Sequence, residues 1–267
     1  MTADYHIHTK MCGHATGELE EYLAVAAKQG LAEIGFSDHL PLYFLPPERR
    51  PAGYAMTEAE LCGYVDAVLR VRENSPVLVK LGVEADFVPG YEAQLKKLLE
   101  AYPFDYVIGS VHFIDGWSFD NHEEIGGYSR WDIGELYERY FALVRQAALS
   151  GLFDIMAHPD LIKKFNYMPP GDLTQLYEET VLTFKKAGVC VEVNTAGLRC
   201  PVREIYPAPG FLAAAYRHGL PVTLGSDAHH PQITGAGLDR AVALIKTTGY
   251  LEIATFERRS RTLRNVD

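Results

Sequence analysis

Hydrophobic residues along this chain follow two alternating patterns. Short runs of apolar and β-branched residues are followed by longer stretches in which apolar positions recur every three or four residues. This alternation is typical of repeated strand–helix units. We count seven units, and their predicted strands cover residues 4–8, 33–37, 77–84, 106–111, 154–158, 189–194 and 221–225.

Helical periodicity fills the intervals between these strands. Thr57 and Glu60 have the spacing of a capping box at the start of the second helix, and Asp172 is an acidic N-cap candidate for the fifth. Gly30 and Gly188 are expected to end the first and fifth helices. The predicted helices lie near residues 18–29, from 57 onward, and near 91–102, 131–150, 172–186, 211–217 and 238–247.

Seven buried strands joined by helices indicate an α/β fold with a parallel sheet. Such a run of units closes into a barrel or stays open as a doubly wound sheet, and periodicity does not choose between them. One large core is expected for this length, so we predict a single domain over residues 1–267. The longest irregular stretches, 41–56 and 113–130, follow strands and are expected to lie over the active-site face.

Composition argues against several classes of partner. Lys and Arg number 25 against 35 Asp and Glu, a net charge of −10 that repels nucleic acid. No window approaches the roughly 20 apolar residues of a membrane-spanning helix, and no basic amphipathic segment indicates lipid binding. The four cysteines form no CxxC pair and no signal-like stretch is present, so we expect a reduced, cytoplasmic protein. The sequence does not indicate an oligomeric state.

Metal-ligand residue types recur where the predicted strands end. The first strand ends in His6-Ile7-His8, and its period of two points both imidazoles to one side of the sheet. A lone histidine there is usually structural, but six coincident strand ends favour a metal centre. Imidazole with carboxylate suits zinc, iron or manganese, and Glu84 or Asp227 can bridge two ions. The other strand ends are SDH at 37–39, GVE at 82–84, GSVH at 109–112, AHP at 157–159 and GSDAH at 225–229.

Together these motifs resemble those of the polymerase-and-histidinol-phosphatase (PHP) superfamily across nearly the whole chain: HxH, SDH, GxE, GS-hydrophobic-H, HPD and SDAH. The resemblance implies a distorted (βα)7 TIM-like barrel with the metal site at the carboxyl ends of its strands. It also implies three divalent metal ions and nine ligands. By this resemblance His6, His8, Glu84 and Asp227 hold one ion, Glu84, His112 and His158 a second, and His14, His39 and His229 a third.

Three longer stretches, 109–121, 158–165 and 194–207, are similar to the histidinol-phosphate phosphatases in particular. They imply a phosphomonoesterase that hydrolyses L-histidinol phosphate to L-histidinol and phosphate in histidine biosynthesis, through a metal-bridging hydroxide. Arg199 is expected to clamp phosphate with its planar guanidinium. Asp227 is a candidate to orient or deprotonate the attacking water, and His229 to protonate the leaving alkoxide, although ligation competes with both roles.

Loop residues supply further candidates for substrate binding. Asp38 is a candidate to receive the amine of the substrate, while His122, His218 and His230 match no motif and are left outside the site. The candidates for phosphate contacts are Lys163, Lys164 and Arg203, and those for the wall of an imidazole pocket are Phe113, Trp117 and Phe119.

Two other functions remain open. A broader PHP phosphoesterase acting on nucleotides, polynucleotides or other phosphomonoesters would use the same site, although the negative charge argues against long polyanions. A non-catalytic metal-holding domain is expected to have lost a ligand, whereas all nine ligand types occur here. The lysine-bridged pattern of amidohydrolase-like enzymes is missing from the sequence.

Overall fold

A computed structural model of the chain describes residues 2–266. Its strands are β1 (Ala3–Ile7), β2 (Glu33–Phe36), β3 (Leu78–Asp86), β4 (Tyr106–Ser110), β5 (Phe113–Ile114), β6 (Trp117–Ser118), β7 (Ile155–Met156), β8 (Cys190–Asn194), β9 (Val222–Gly225), β10 (Glu252–Glu257) and β11 (Ser260–Asn265). Its α-helices are α1 (Leu19–Gln29), α2 (Glu58–Arg72), α3 (Glu92–Glu100), α4 (Ile133–Leu149), α5 (Thr174–Ala187), α6 (Pro209–Arg217) and α7 (Leu238–Thr248).

Seven parallel strands form one sheet in the order β1-β2-β3-β4-β7-β8-β9. Its two edges approach each other, since the backbone N–H of His8 donates to the carbonyl of Ala228 at 2.9 Å and the N–H of Ala228 to that of His6 at 3.2 Å. The sheet is therefore a nearly closed barrel. The seven predicted units and the single-domain α/β barrel are confirmed, and the open doubly wound alternative is wrong.

The interior of the barrel near the amino ends of its strands is filled by Tyr106. Its ring packs edge-on against Tyr5 with 4.9 Å between centroids, and its hydroxyl donates to the Tyr5 carbonyl at 2.7 Å. Gly35 and Gly82 face this ring, and a Cβ at either position would overlap it. Two glycines in neighbouring strands thus make room for one large aromatic side chain.

The helix ends largely follow the sequence. Thr57 accepts the N–H of Glu60 at 3.3 Å while the Glu60 carboxylate accepts the N–H of Thr57 at 2.8 Å, which completes the capping box of α2. Gly30 and Gly188 close α1 and α5 in the left-handed conformation, as predicted. Asp172 lies one residue before the N-cap of α5, where its carboxylate still accepts the N–H at position 174 at 2.9 Å.

The antiparallel hairpin β10–β11 was missed by the sequence analysis. Its turn holds Arg258 and Arg259 with φ of 48° and 64°, so the left-handed residues there are arginines and no glycine marks the turn. Every residue of β11 is exposed, so the strand lacks the buried face that periodicity detects. Phe256 packs 5.8 Å from the Tyr5 ring, which places the hairpin under the amino ends of the barrel strands.

The two predicted loops differ in how much regular secondary structure they contain. Residues 41–56 are irregular apart from the 3-10 turn Pro47–Arg49. The stretch 113–130 is more regular than expected, because it forms the β5–β6 hairpin and the 3-10 segment His122–Arg130. Trp117 is buried between these two parts and donates from Nε1 to the Glu124 carbonyl at 3.1 Å. Within residues 2–266, no helix has the length and apolar content needed to cross a membrane.

Candidate metal centre and active site

A cavity of about 380 Å³ opens at the carboxyl ends of the barrel strands. Both long loops contribute to its wall, 41–56 through Gly53 and Tyr54 and 113–130 through residues 120–122. Seven of the nine predicted metal ligands also line it. These are His14, His39, Glu84, His112, His158, Asp227 and His229.

The first predicted ligand group is His6, His8, Glu84 and Asp227. The Nε2 atom of His6 lies 3.2 Å from Glu84 Oε2 and 3.8 Å from Asp227 Oδ1. The Nε2 atom of His8 lies 3.4 Å from each of the same two oxygens. Two imidazoles and two carboxylates thus direct one ligand atom each toward a common point, as the alternation of residues in β1 predicts.

Two of these nitrogen atoms are buried without a hydrogen bond. Among residues 2–266, His6 Nε2 and His8 Nε2 find no hydrogen-bond partner although neither is accessible to solvent. Buried polar atoms are rarely left unpaired, because their desolvation costs free energy that nothing recovers. A divalent cation between the imidazoles and carboxylates would pair both nitrogens, so the residues present fit a metal.

Glu84 stands between the first and second ligand groups. Its Oε2 faces His6 and His8, and lies 3.1 Å from Nδ1 of His39. Its Oε1 lies 3.2 Å from Nε2 of His158 and 3.6 Å from Nε2 of His112. The two oxygens of one carboxylate therefore address different sets of imidazoles, which is the arrangement that a bridging ligand needs.

The third predicted group brings together His14, His39 and His229. Nε2 of His14 and Nε2 of His229 are 3.0 Å apart, and the His14 and His39 ring centroids are 5.3 Å apart. One nitrogen each from His8, His39 and His229 also lies within 4.8 Å of the others. His8 is thus close to both the first and the third group, whereas the sequence assigned it to the first alone.

Two carboxylates behind the ligands were missed by the sequence analysis. Glu192 Oε1 lies 2.6 Å from Nδ1 of His6, and Asp86 Oδ1 lies 2.9 Å from Nδ1 of His112. Such partners fix the imidazole orientation and leave Nε2 for a metal. Strand alternation could have found them, because Asp86 is two residues after Glu84 and Glu192 is two before Asn194.

Electrostatics separates the protonation states within the cluster. Burial by itself would raise the pKa of Glu84 and Asp227, yet the surrounding imidazoles hold both pKa values well below their usual range. Burial lowers the pKa of His39 well below its usual value and that of His229 to about 3. His39 and His229 are therefore neutral, and Glu84 and Asp227 are ionised, which are the forms in which these four side chains bind metal ions.

The predicted cationic contacts are found in four different environments. Lys164 lines the cavity, with Nζ 3.0 Å from Asp120. Arg199 is exposed at the rim, where its guanidinium donates to the carbonyls of Ser226 at 2.6 Å and Asp227 at 3.2 Å. Neither remaining cation reaches the wall.

Two of the candidates for phosphate contacts, Lys163 and Arg203, do not line the cavity. Lys163 is buried away from the cavity and pairs with Asp160 at 2.8 Å and Glu204 at 2.6 Å, so its charge is already neutralised. Arg203 is exposed and donates to the Leu198 carbonyl at 3.4 Å. Both residues are close in sequence to motif residues, but that closeness did not determine where their side chains lie.

The three aromatic residues predicted to wall an imidazole pocket do not line the cavity either. Trp117 and Phe119 are buried in the hydrophobic core, and Phe113 lies behind Tyr54, with 5.6 Å between the ring centroids. Tyr54 itself lines the cavity. Asp38 is fully buried and accepts the backbone N–H and the hydroxyl of Thr9, so it offers no free oxygen to a substrate amine.

Several wall residues were not predicted as site residues, although three of them lie within the stretches 109–121 and 194–207. Asp120 and Asn121 come from the 113–130 loop, and Tyr206 follows the sixth barrel strand. His122, which the sequence analysis left outside the site, lines the cavity and packs its ring 5.0 Å from Phe165. Loop positions carry no fixed side-chain period, so only the folded chain reveals which of them face inward.

Comparison with known proteins agrees with this architecture. The PHP domain family model matches residues 4–196. A protein of Deinococcus radiodurans named "Probable histidinol-phosphatase" is 42% identical over 248 residues, which cover 92% of this chain and 93% of the relative.

Two solved structures share the fold. The structure of a protein described as a histidinol phosphatase, from Listeria monocytogenes, has a TM-score of 0.79 and 25% identity, and the match covers 90% of this chain and 99% of that one. The histidinol phosphate phosphatase of Lactococcus lactis, complexed with zinc, L-histidinol and phosphate, has a TM-score of 0.82 at 21% identity, covering 98% of both chains.

Proposed function

The chain belongs to the PHP domain family, and from that membership we propose that it is a histidinol-phosphatase, which hydrolyses L-histidinol phosphate to L-histidinol and inorganic phosphate. The observation that carries the proposal is the convergence of nine imidazole and carboxylate side chains at one barrel mouth. The 42% identity with a relative of that name, over 93% of its length, supports the choice of substrate.

Family membership implies divalent metal ions in this site, and we propose three. His6, His8, Glu84 and Asp227 would hold one ion. Glu84, His112 and His158 would hold the second ion, and His14, His39 and His229 the third. Bound divalent ions would lower the pKa of water and offset charge on the phosphate oxygens. Zinc, iron and manganese all suit this ligand set.

Hydrolysis breaks the bond between phosphorus and the ester oxygen, so a proton must leave the attacking water and another must reach the leaving alkoxide. Asp227 is ionised and lies at the cavity wall, which suits it to bind a metal ion and to orient the attacking water, whereas its lowered pKa makes it a weak proton acceptor. Bound divalent ions would lower the pKa of the water, so that its proton could leave to solvent. His229, whose pKa burial lowers to about 3, is neutral. A neutral imidazole favours metal ligation for His229 over donation of a proton.

The phosphate needs cations at the cavity. Lys164 lines the wall and supplies a point charge. Arg199 anchors the backbone at Ser226 and Asp227 from the rim, and its planar fork suits a phosphate oxygen pair. We therefore assign both residues to phosphate binding, Lys164 from within the cavity and Arg199 from its edge.

Phosphate release from L-histidinol phosphate, AMP, an aryl phosphate and single-stranded DNA tests the proposal with metal-loaded enzyme. We expect strong preference for L-histidinol phosphate, with loss of most activity in Arg199→Ala. Arg203→Ala is the matched control, because Arg203 is exposed and does not line the cavity. Comparable turnover of all phosphomonoesters would indicate a broader phosphatase. A metal-loaded protein without turnover would indicate a non-catalytic domain.

A further inference from the structure

The cavity wall carries one carboxylate that the metal ligands do not account for. Its acidic residues within the described chain are Glu84, Asp227 and Asp120, and the first two belong to the predicted ligand set. Lys164 is the one lysine or arginine among the described residues of the wall. The cavity thus presents a single uncommitted anion and a single cation.

These two charges are paired with each other. Nζ of Lys164 donates to Oδ2 of Asp120 at 3.0 Å, and the two side chains are 22% and 18% exposed. Each is therefore largely removed from water but still open to the cavity. A pair of this kind neutralises both groups while the cavity holds no charged ligand.

L-histidinol phosphate, the substrate in the proposed function, carries the two complementary charges, a cationic ammonium group and an anionic phosphate. L-histidinol phosphate has an ammonium group on the carbon next to the methylene that bears the phosphate ester. An ammonium group drawn into a part-buried cavity needs an anion, because an unpaired buried charge is strongly unfavourable. The phosphate needs cations at the neighbouring position.

We propose that Asp120 is the residue that recognises the α-ammonium group of the substrate, through an exchange of ion pairs. Binding separates Lys164 from Asp120, so that Lys164 contacts the phosphate and Asp120 contacts the ammonium. No charge is left unpaired before or after the exchange. This inference rests on the proposed function and deepens it, because it explains selection of an amino alcohol phosphate over other phosphomonoesters.

Asp120 takes the role that the sequence gave to Asp38. Both oxygens of Asp38 are occupied by Thr9, and its side chain is absent from the cavity wall. Asp120 reaches the wall because it lies directly after the β5–β6 hairpin, between buried Phe119 and the 3-10 segment that begins at His122.

The test compares L-histidinol phosphate with its deamino analogue, which has the imidazole and phosphate but no amine. We expect Asp120→Asn to lower the ratio of kcat/KM for the two substrates about 10- to 100-fold, since a hydrogen bond between charged groups is lost for one substrate alone. Lys164→Met should lower kcat/KM for both substrates, because both carry phosphate, and should not lower their ratio, because Asp120 stays available to the ammonium group.

Asp115→Asn is the matched control, because Asp115 is exposed and pairs with Arg139 outside this cavity. Calorimetry adds a readout independent of turnover. Asp120→Asn should weaken binding of L-histidinol but not that of inorganic phosphate, because it frees Lys164, and Lys164→Met should weaken binding of phosphate but not that of L-histidinol, because it frees Asp120. Metal content and the thermal midpoint establish that each variant is folded and loaded.

Two failures are distinguishable. If the wild-type enzyme shows no preference for L-histidinol phosphate over AMP, the proposed function itself is wrong. If the wild type has that preference but Asp120→Asn lowers kcat/KM equally for L-histidinol phosphate and its deamino analogue, Asp120 only holds Lys164 in place. The assignment of Asp120 to the ammonium group is then overturned.

Discussion

At the scale of single residues, the carboxylates behind the histidines decide how the site is held. Glu192 is fully buried and contacts two ligand positions, since Oε1 lies 2.6 Å from His6 Nδ1 and Oε2 accepts the backbone N–H of His158 at 2.9 Å. Asn194 donates to the same carboxylate at 3.0 Å. One side chain thus orients ligands from two different strands.

Replacing this carboxylate should weaken metal binding. We expect Glu192→Gln to lower zinc affinity about 10- to 100-fold, because His6 loses the anion that fixes its tautomer. Competition with a chromophoric chelator measures the change. Glu178→Gln, which breaks a half-buried pair with His218 away from the cavity, serves as the control. Equal zinc affinities in Glu192→Gln and wild type would mean that packing alone orients His6.

Metal binding should also release protons. Burial lowers the pKa of His8 and His112, but the hydrogen bonds and charges of neighbouring groups, Asp227 and Cys12 at His8 and Asp86 at His112, outweigh it and raise both pKa values to about 10. Both imidazoles are then charged at pH 7 and must lose their protons to bind zinc, so affinity should rise as pH increases toward 10. Zinc titrations in two buffers of different ionisation enthalpy measure the release. Identical apparent enthalpies would show that no proton leaves.

At the scale of elements, the strands of the barrel are spaced to enclose Tyr106. Gly35 in β2 and Gly82 in β3 leave room for its ring, which is fully buried and which a Cβ at either position would overlap. The side chain at the amino end of β4 thereby fixes the distance to two neighbouring strands. The metal ligands at the other ends of these strands depend on that spacing.

Adding a methyl group at Gly35 should destabilise the folded protein. Gly35→Ala is expected to lower the free energy of unfolding by about 1–3 kcal/mol, because overpacking pushes the Tyr106 ring or the strand out of place. Gly126→Ala is the control, since a Cβ there meets no atom within 4 Å. Urea unfolding followed by circular dichroism measures both variants. Equal stability of the two would mean that the barrel absorbs the methyl group without strain.

The terminal hairpin contributes a second element-scale contact. Phe256 is buried against Tyr5 and Tyr106, with centroid distances of 5.8 and 6.2 Å. Phe256→Ala should lower the free energy of unfolding by about 3–5 kcal/mol through the cavity it leaves. Leu263→Ala removes a side chain that is 47% exposed and should change little. A small effect of Phe256→Ala in the same urea assay would show that the hairpin is a dispensable addition.

At the scale of the whole molecule, the metal centre joins strands from both edges of the barrel. His6 lies in β1 and His8 directly follows it, Glu84 lies in β3, and Asp227 follows β9. Because β1 and β9 meet where the barrel closes, a bound ion would link the first and last barrel strands. The site is thus expected to stabilise the closure as well as to support hydrolysis.

Metal removal should therefore destabilise the fold. A ligand that binds the folded state alone adds about 4 kcal/mol to its stability when present at 1,000 times its Kd. We expect the thermal midpoint to fall in chelator-treated protein and to recover when zinc is added back. Scanning calorimetry of the three samples measures this. An unchanged midpoint would show that metal binding and barrel closure are independent.

Alternation and capping residues predicted much of this molecule before any contact was known. The seven barrel strands and the capping box at Thr57 depend on neighbours within a few residues, and so their signals are local. The predicted ligands also follow a local rule, since parallel strands place their carboxyl ends at one edge of the sheet. Whether each ligand binds an ion stays a prediction for the titrations above.

Only the tertiary structure decided what depends on distant residues. Closure between β1 and β9, the inward direction of Asp120 and the burial of Lys163 in its own ion pairs are set by contacts across many positions of sequence. Loops and exposed strands such as β11 have no periodic buried face, because their backbones follow the surface around them. The sequence by itself determined the seven strand–helix units of the barrel and the residue types of the site. Packing decided which loop side chains face the cavity, since side-chain direction there follows from the folded environment and not from a repeat.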